Sequence, residues 1–154
     1  LENVKYQSSS RQDMAEFGAE TVNFNSPAGG NIQALLVDDV AMNLKVLQAM
    51  LKKMNVSCIL AESAEEALEL LRKGRRADII LTDLWMPGLS GSAFADLLKQ
   101  NEATAKIPVV AVTADTQMPA EEAVKFRQVL TKPITRQALI DAFKTYNLHI
   151  SVQN

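Results

Sequence analysis

The stretch Ile79-Ile80-Leu81-Thr82-Asp83-Leu84-Trp85-Met86-Pro87-Gly88 leaves this chain few folds to choose from. Four mostly apolar residues deliver a carboxylate, Asp83, and a Pro-Gly turn follows at once. A run that short, with β-branched residues and a turn behind it, reads as a buried strand and not a helix. Similar runs recur along the chain. Ala34-Leu35-Leu36-Val37 ends in the acidic pair Asp38-Asp39, and Ser57 to Leu60 is a second strand. Val109 to Val112 leads into Thr113, and Val129-Leu130-Thr131 leads into Lys132.

Helical spacing fills the intervals. Met42 to Met54 carries apolar residues at Leu47, Met50, Leu51 and Met54. Ser63-Ala64-Glu65-Glu66 is a capping box, with Glu65-Glu66 otherwise a solvated helix start. The helix it opens has Ala64, Ala67, Leu68 and Leu71 on its inner face and stops near Gly74. Ser92 to about Asn101 turns Phe94, Leu97 and Leu98 inward, and Pro119 opens a short helix through about Phe126. Thr135 to Tyr146 closes the pattern with Leu139, Ala142, Phe143 and Tyr146 on one face. Five short apolar strands alternating with five helices make an α/β fold whose parallel sheet is covered on both sides, with right-handed crossovers.

The 154 residues suit one domain. Residues 1–31 read differently from the rest. Leu1 to Tyr6 and Thr21 to Phe24 alternate like short strands, Gln7 to Asp13 has linker composition, and Ser26-Pro27-Ala28-Gly29-Gly30 is a break. A start at Leu1 is what a piece cut from a longer protein would show. The net charge of −2, with no basic run, gives nucleic acid nothing to bind. No apolar run approaches the ~18 residues a bilayer span needs, and no signal-peptide pattern opens the chain. Cys58 is alone, which points to a reducing compartment and to a small core residue, not a reactive thiol.

In a parallel sheet all carboxyl ends lie on one edge, the edge where open α/β sheets bind ligands. Here that edge collects Asp38, Asp39, Asp83, Thr113 and Lys132. Three converging carboxylates call for a cation, and with no His or Cys at hand the donor set suits Mg²⁺. A hydroxyl and an ammonium are donors for phosphoryl oxygens. Together they describe phosphoryl transfer onto an aspartate. Taken singly, each residue has a plainer role. Asp38 could make an Asx turn, Asp39 could cap the first helix, Thr113 could be a strand-end hydroxyl and Lys132 a solvated charge. Trp85 reads as a partly exposed loop residue, and Met42, Met50 and Met54 as core filling. His149 has no partner carboxylates.

With the acidic pair Asp38-Asp39, the Asp83 to Pro87 segment backed by Gly88 and Gly91, Thr113-Ala114, and Lys132-Pro133 all in order, residues 32 to about 146 resemble a response-regulator receiver domain of two-component signalling. The resemblance implies a flavodoxin-like, doubly wound, five-stranded parallel sheet of order 2-1-3-4-5 with five helices. It implies that Asp83 accepts a phosphoryl group from a histidine kinase domain or a histidine phosphotransfer protein. Mg²⁺ would bind Asp39, Asp83 and the backbone carbonyl of Trp85, with Asp38 helping through water. Thr113 and Lys132 would hold phosphoryl oxygens together with the N–H groups of Leu84 and Ala114, and the Lys132-Pro133 bond would be cis. Asn43 is similar to receivers fused to kinases, and Leu1 to Tyr6 resembles the last strand of a kinase ATPase module. The implied layout is a linker over 1–31, a receiver over 32–147 and a polar tail over 148–154, at the end of a cytoplasmic hybrid sensor kinase. The fragment itself would touch neither nucleic acid nor membrane.

Two departures from the family stand out. The segment between Thr113 and Lys132 is a few residues short and lacks the glycine that commonly ends the fourth helix. Three residues before Lys132, where an aromatic usually swings on phosphorylation, stands Val129, and Phe126 is expected to cover some of that surface. Among other functions, a receiver fold used only for docking would lack some acidic or phosphoryl-binding positions, and all five are present. An aspartate phosphatase would want an acid at Trp85, and a flavin binder a glycine- and hydroxyl-rich loop where Asp38-Asp39 stand.

Overall fold

Side chains that alternate with period two along a strand must find cover on both sides of a sheet, and here helices supply it on each face. The computed structural model describes residues 32–148 and residue 150, so the strands expected at Leu1 to Tyr6 and Thr21 to Phe24, the linker, and His149 lie outside the described residues. The elements run β1 Ile32–Val37, α1 Ala41–Lys52, β2 Val56–Ala61, α2 Ala64–Arg72, β3 Ile79–Thr82, α3 Gly91–Gln100, β4 Val109–Thr113, α4 Ala120–Ala123, β5 Gln128–Thr131 and α5 Arg136–Thr145. All neighbouring strands are parallel, in the order β2-β1-β3-β4-β5. This is the doubly wound 2-1-3-4-5 sheet with five helices that the family resemblance implies.

Strand alternation divides the interior into two cores. Leu35, Val37, Ile80, Val109 and Ala111 face the side covered by α2 and α3, where Phe94 is fully buried. Ala34, Leu36, Ile79, Leu81, Val110 and Val112 face the side covered by α1 and α5, where Phe143 is fully buried. β3 is the central strand and all four of its residues are buried.

The helix ends follow local chemistry. Ser63 Oγ accepts the N–H of Glu66 at 3.0 Å, as a capping box requires. The Glu66 carboxylate reaches back one residue further than the standard box, to the N–H of Glu62 at 2.8 Å. At the other end of α2, Gly74 has φ +94° and donates to the Leu71 carbonyl, while Arg75 donates to that of Leu70. This is a Schellman closure, which the missing Cβ makes inexpensive.

Several expectations need correction. Met42 is 66% exposed and fills no core, whereas Met54 is buried. Leu97 points outward, because the inward face of α3 is Gly91, Phe94, Ala95 and Leu98 at i, i+3, i+4 and i+7. Pro119 is the residue before α4 and not its first helical position. α4 makes a single turn and stops at Ala123, three residues before the expected end, where the chain turns to bury Phe126 and enter β5. Within the expected polar tail, Leu148 and Ile150 pack against the Phe143 core. Cys58 is a core-lining thiol that burial pushes up to about 12, far from reactive.

One side chain ties the short α4 down. Lys125 Nζ lies 2.9 Å from Ser92 Oγ, 3.1 Å from Asp96 Oδ2 and 3.6 Å from Glu122 Oε2, bridging the end of α4 to α3.

Because Phe94 and Phe143 are each enclosed on opposite faces, truncating either leaves a large cavity. Phe94→Ala and Phe143→Ala should each lower the unfolding free energy by about 3–5 kcal/mol in urea titrations, and by similar amounts on the two faces.

Candidate active site

Strand register gathers the site. Val37 pairs with Thr82, so the residues that follow them, Asp38 and Asp83, leave the sheet side by side. The Asp83 N–H donates to the Val37 carbonyl at 2.8 Å and the Asp38 N–H to the Ala61 carbonyl at 3.1 Å, extending the ladder past the strand ends. Thr113 pairs with Thr131, and the N–H of Lys132 donates to the Thr113 carbonyl at 2.8 Å. The Lys132-Pro133 bond is cis. Gly91 is required behind Asp83 for space: a Cβ there would run into the Asp83 carbonyl oxygen and Leu84 Cα.

Carboxylate oxygens of Asp38, Asp39 and Asp83 lie within 4.8 Å of one another. Asp38 is buried, Asp83 half-buried and Asp39 exposed. Lys132 Nζ stands 3.3 Å from Asp38 Oδ2 and 4.0 Å from Asp83 Oδ2, the one ammonium facing both buried-side carboxylates among the described residues. Asp83 Oδ1 accepts the Leu84 N–H at 2.8 Å. Burial nevertheless holds the Asp83 carboxyl above its ordinary value. The Leu84 N–H and Lys132 pull it down, and the charges of Asp38 and Asp39 push it up again.

The plainer roles divide differently from expectation. Asp38 does make an Asx turn, its Oδ1 accepting the Val40 N–H at 2.9 Å. Asp39 caps nothing: α1 has Val40 as its N-cap and no side-chain cap. Thr113 is fully buried and its Oγ1 accepts the Asp115 N–H at 3.0 Å, while Asp115 Oδ1 accepts from Gln117. Trp85 is 61% exposed, two residues past Asp83. Phe126 is buried and offers no aromatic surface near Val129, itself only partly exposed.

Contacts of Asn43 and Glu65 escaped sequence reasoning. Asn43 Nδ2 donates to Asp38 Oδ2 at 3.2 Å, so the residue that resembles kinase-fused receivers also orients the buried carboxylate. Its position one turn into the helix after Asp38-Asp39 was the available signal. Glu65 is no idle surface charge, for its Oε2 accepts the Leu89 N–H at 3.1 Å across 24 residues.

A family model described as the response regulator receiver domain matches residues 34–144. The chain belongs to this family. Receiver relatives include the two-component response regulator ORR42 of rice, 36% identical over 87 residues, covering 56% of this chain and 65% of that protein. The polar-differentiation response regulator DivK of Brucella ovis is 31% identical over 115 residues, covering 73% of this chain and 93% of its own. Among solved structures, the receiver domain of sensor histidine kinase PA1611 from Pseudomonas aeruginosa superposes with a TM-score of 0.69 at 26% identity, covering 76% and 98% of the two chains. That structure holds a magnesium ion in its active-site cleft. The chemotaxis protein CheY4 of Vibrio cholerae shares the fold with a TM-score of 0.69 at 20% identity, over 76% and 99%.

For this receiver, raising the Asp83 pKa on folding means that the folded state holds the proton more tightly than the unfolded chain. Stability without metal therefore falls as pH rises from the ordinary carboxylate range through the raised value. Asp83→Asn should raise the metal-free melting temperature by a few degrees at pH 7, and the gain should shrink as pH falls towards 4. Thermal melts in a chelator across that range check both.

Proposed function

We propose that this receiver takes a phosphoryl group from a phosphohistidine onto Asp83, in a Mg²⁺-dependent reaction within a phosphorelay. The observation that supports it most is the crevice itself, with three carboxylates inside 4.8 Å and one ammonium spanning Asp38 and Asp83. Converging carboxylates disfavour one another's charged forms, and a cation placed among them relieves that.

The donor set fits the metal. All three side chains offer hard oxygen ligands, the donor type that suits a small divalent cation. Asp39, Asp83 and the Trp85 carbonyl would hold Mg²⁺, with Asp38 acting through water. When bound, the ion would neutralise charge on the carboxylates and the incoming phosphoryl oxygens.

The chain's own groups do the rest. An oxygen of Asp83 attacks phosphorus while the phosphorus–nitrogen bond of the donor breaks, the electron pair returning to the imidazole. The Leu84 N–H, already on Asp83 Oδ1, keeps the carboxylate oriented. Lys132, drawn to Asp38 in this state, lies close enough to transfer its contact to a phosphoryl oxygen on Asp83. Thr113 supplies a buried hydroxyl at the neighbouring strand end.

A donor needs a face to dock on. Val40, Met42 and Val46 expose apolar side chains at the start of α1, immediately after the acidic pair. That suits a helical histidine kinase domain or phosphotransfer protein better than a nucleic acid. Asn43 and the likeness of residues 1–6 to a kinase ATPase strand favour a C-terminal position in a cytoplasmic hybrid sensor kinase. No helix among the described residues is long and apolar enough to cross a membrane.

Mg²⁺ and then beryllofluoride, which mimics an aspartyl phosphate, should each give a saturable change in Trp85 fluorescence. Asp83→Asn should abolish label uptake from a radiolabelled phosphohistidine protein. Lys132→Ala should slow it by about 10²-fold, the loss typical of one donor aimed at developing charge. Uptake by the Asp83→Asn variant would place the acceptor elsewhere. A flat response to both additions, with no labelling of the wild type, would leave a docking module.

A further inference from the structure

Between Asp83 and α3 the chain crosses residues 84–90 without regular structure, and that loop carries the Trp85 carbonyl. Its ends are fixed next to the sheet. Leu84 donates to Asp83 Oδ1, and the N–H of Gly91 donates to the Leu84 carbonyl at 2.9 Å. The outer part has a different anchor. The N–H of Leu89 donates to Glu65 Oε2 at 3.1 Å, a bond from the loop to the first turn of α2. Gly88, with φ +76°, lies under the same carboxylate, and a Cβ there would stand 2.7 Å from Glu65 Oε2. Glycine suits this turn on two counts, its positive φ and the room it leaves for the Glu65 carboxylate.

Glu65 shares the first turn of α2 with Glu66, where a carboxylate suits the helix dipole, but it makes no cap there. The capping duty of α2 falls to Ser63 and Glu66. Among the described residues Glu65 makes no ion pair, and Leu89 is its hydrogen-bond donor. A carboxylate accepting a backbone N–H is a strong kind of hydrogen bond, well suited to hold an exposed loop.

We infer that Glu65 is a positioning residue: it pins the outer loop to α2 and thereby keeps the Trp85 carbonyl where Mg²⁺ can use it. This rests on the metal-binding reading proposed above. Glu65 touches neither the phosphoryl group nor the ion. Its effect is to spare the site the entropic cost of ordering the loop each time the ion binds.

The test uses three variants and two readouts. Glu65→Ala removes the acceptor, Glu65→Gln keeps an oxygen acceptor on the same stem, and Gly88→Ala both crowds the carboxylate and strains the turn at φ +76°. Amide hydrogen exchange at Leu89 reports the pin without metal. The concentration dependence of Trp85 fluorescence on Mg²⁺ reports the site, and its midpoint is independent of the brightness of the tryptophan. Glu65→Ala and Gly88→Ala should speed Leu89 exchange and weaken Mg²⁺ binding by about three- to tenfold. Glu65→Gln should restore most of both. Unchanged exchange in Glu65→Ala would overturn the pin. Faster exchange with an unchanged Mg²⁺ midpoint would overturn the positioning role. A wild type indifferent to Mg²⁺, with Leu89 exchange still governed by Glu65, would overturn the metal reading and this role with it.

Discussion

Three carboxylates held within 4.8 Å of one another repel, and the structure around them is arranged to hold them there regardless. Backbone pairing does most of the holding. Asp38 and Asp83 are each fastened by their own N–H to a carbonyl of the adjacent strand, so neither can withdraw without breaking the sheet ladder. Side chains then share out the charge. Asp38 is engaged by Val40, Asn43 and Lys132, Asp83 by Leu84 and Lys132, and Asp39 is left to solvent. The result is graded: a buried and fully occupied carboxylate, a half-buried one with an oxygen to spare, and an exposed one. Such a gradient suits a group that must bind and release ligands at one oxygen while its neighbours stay put.

The strands and the acidic edge were legible because both follow from rules of low order. Short apolar runs such as Ile79–Thr82 can hardly be anything but buried strands, and a parallel sheet must bring their ends together. Asp38, Asp39, Asp83, Thr113 and Lys132 follow from that alone. Contacts that depend on helix rotation or loop path were not legible. Helical spacing defines a stripe roughly 100° wide, which is too coarse to separate Leu97 from Ala95 or to predict that Met42 faces water. The Glu65–Leu89 and Lys125–Ser92 bonds join segments 24 and 33 residues apart, and no local pattern announces either partner. The Ser63 box shows an intermediate case. The cap was readable, but the exact N–H chosen by Glu66 was not.

The side of the sheet around β4 and β5 carries the departures from the family, and the structure gives them physical content. α4 makes one turn and Phe126 is buried, so Phe126 lends Val129 no exposed aromatic surface. Lys125 adds a three-way tie from the end of α4 to α3. Together they fasten the short α4 and the start of β5 to α3.

The βα order of the fold has one more consequence. Each helix in such a sheet starts on the side where its strand ends, so α1, α2, α3 and α5 all begin towards the crevice edge. Each amino end carries roughly half a positive charge from its aligned peptide dipoles. α1 leaves those N–H groups without a side-chain cap just after the acidic pair. The backbone thus lays down a standing positive potential along the rim before any side chain is chosen. Seen this way, the acidic cluster is the occupant of a field that the chain's winding creates, and anion chemistry at this edge belongs to the topology as much as to the residues.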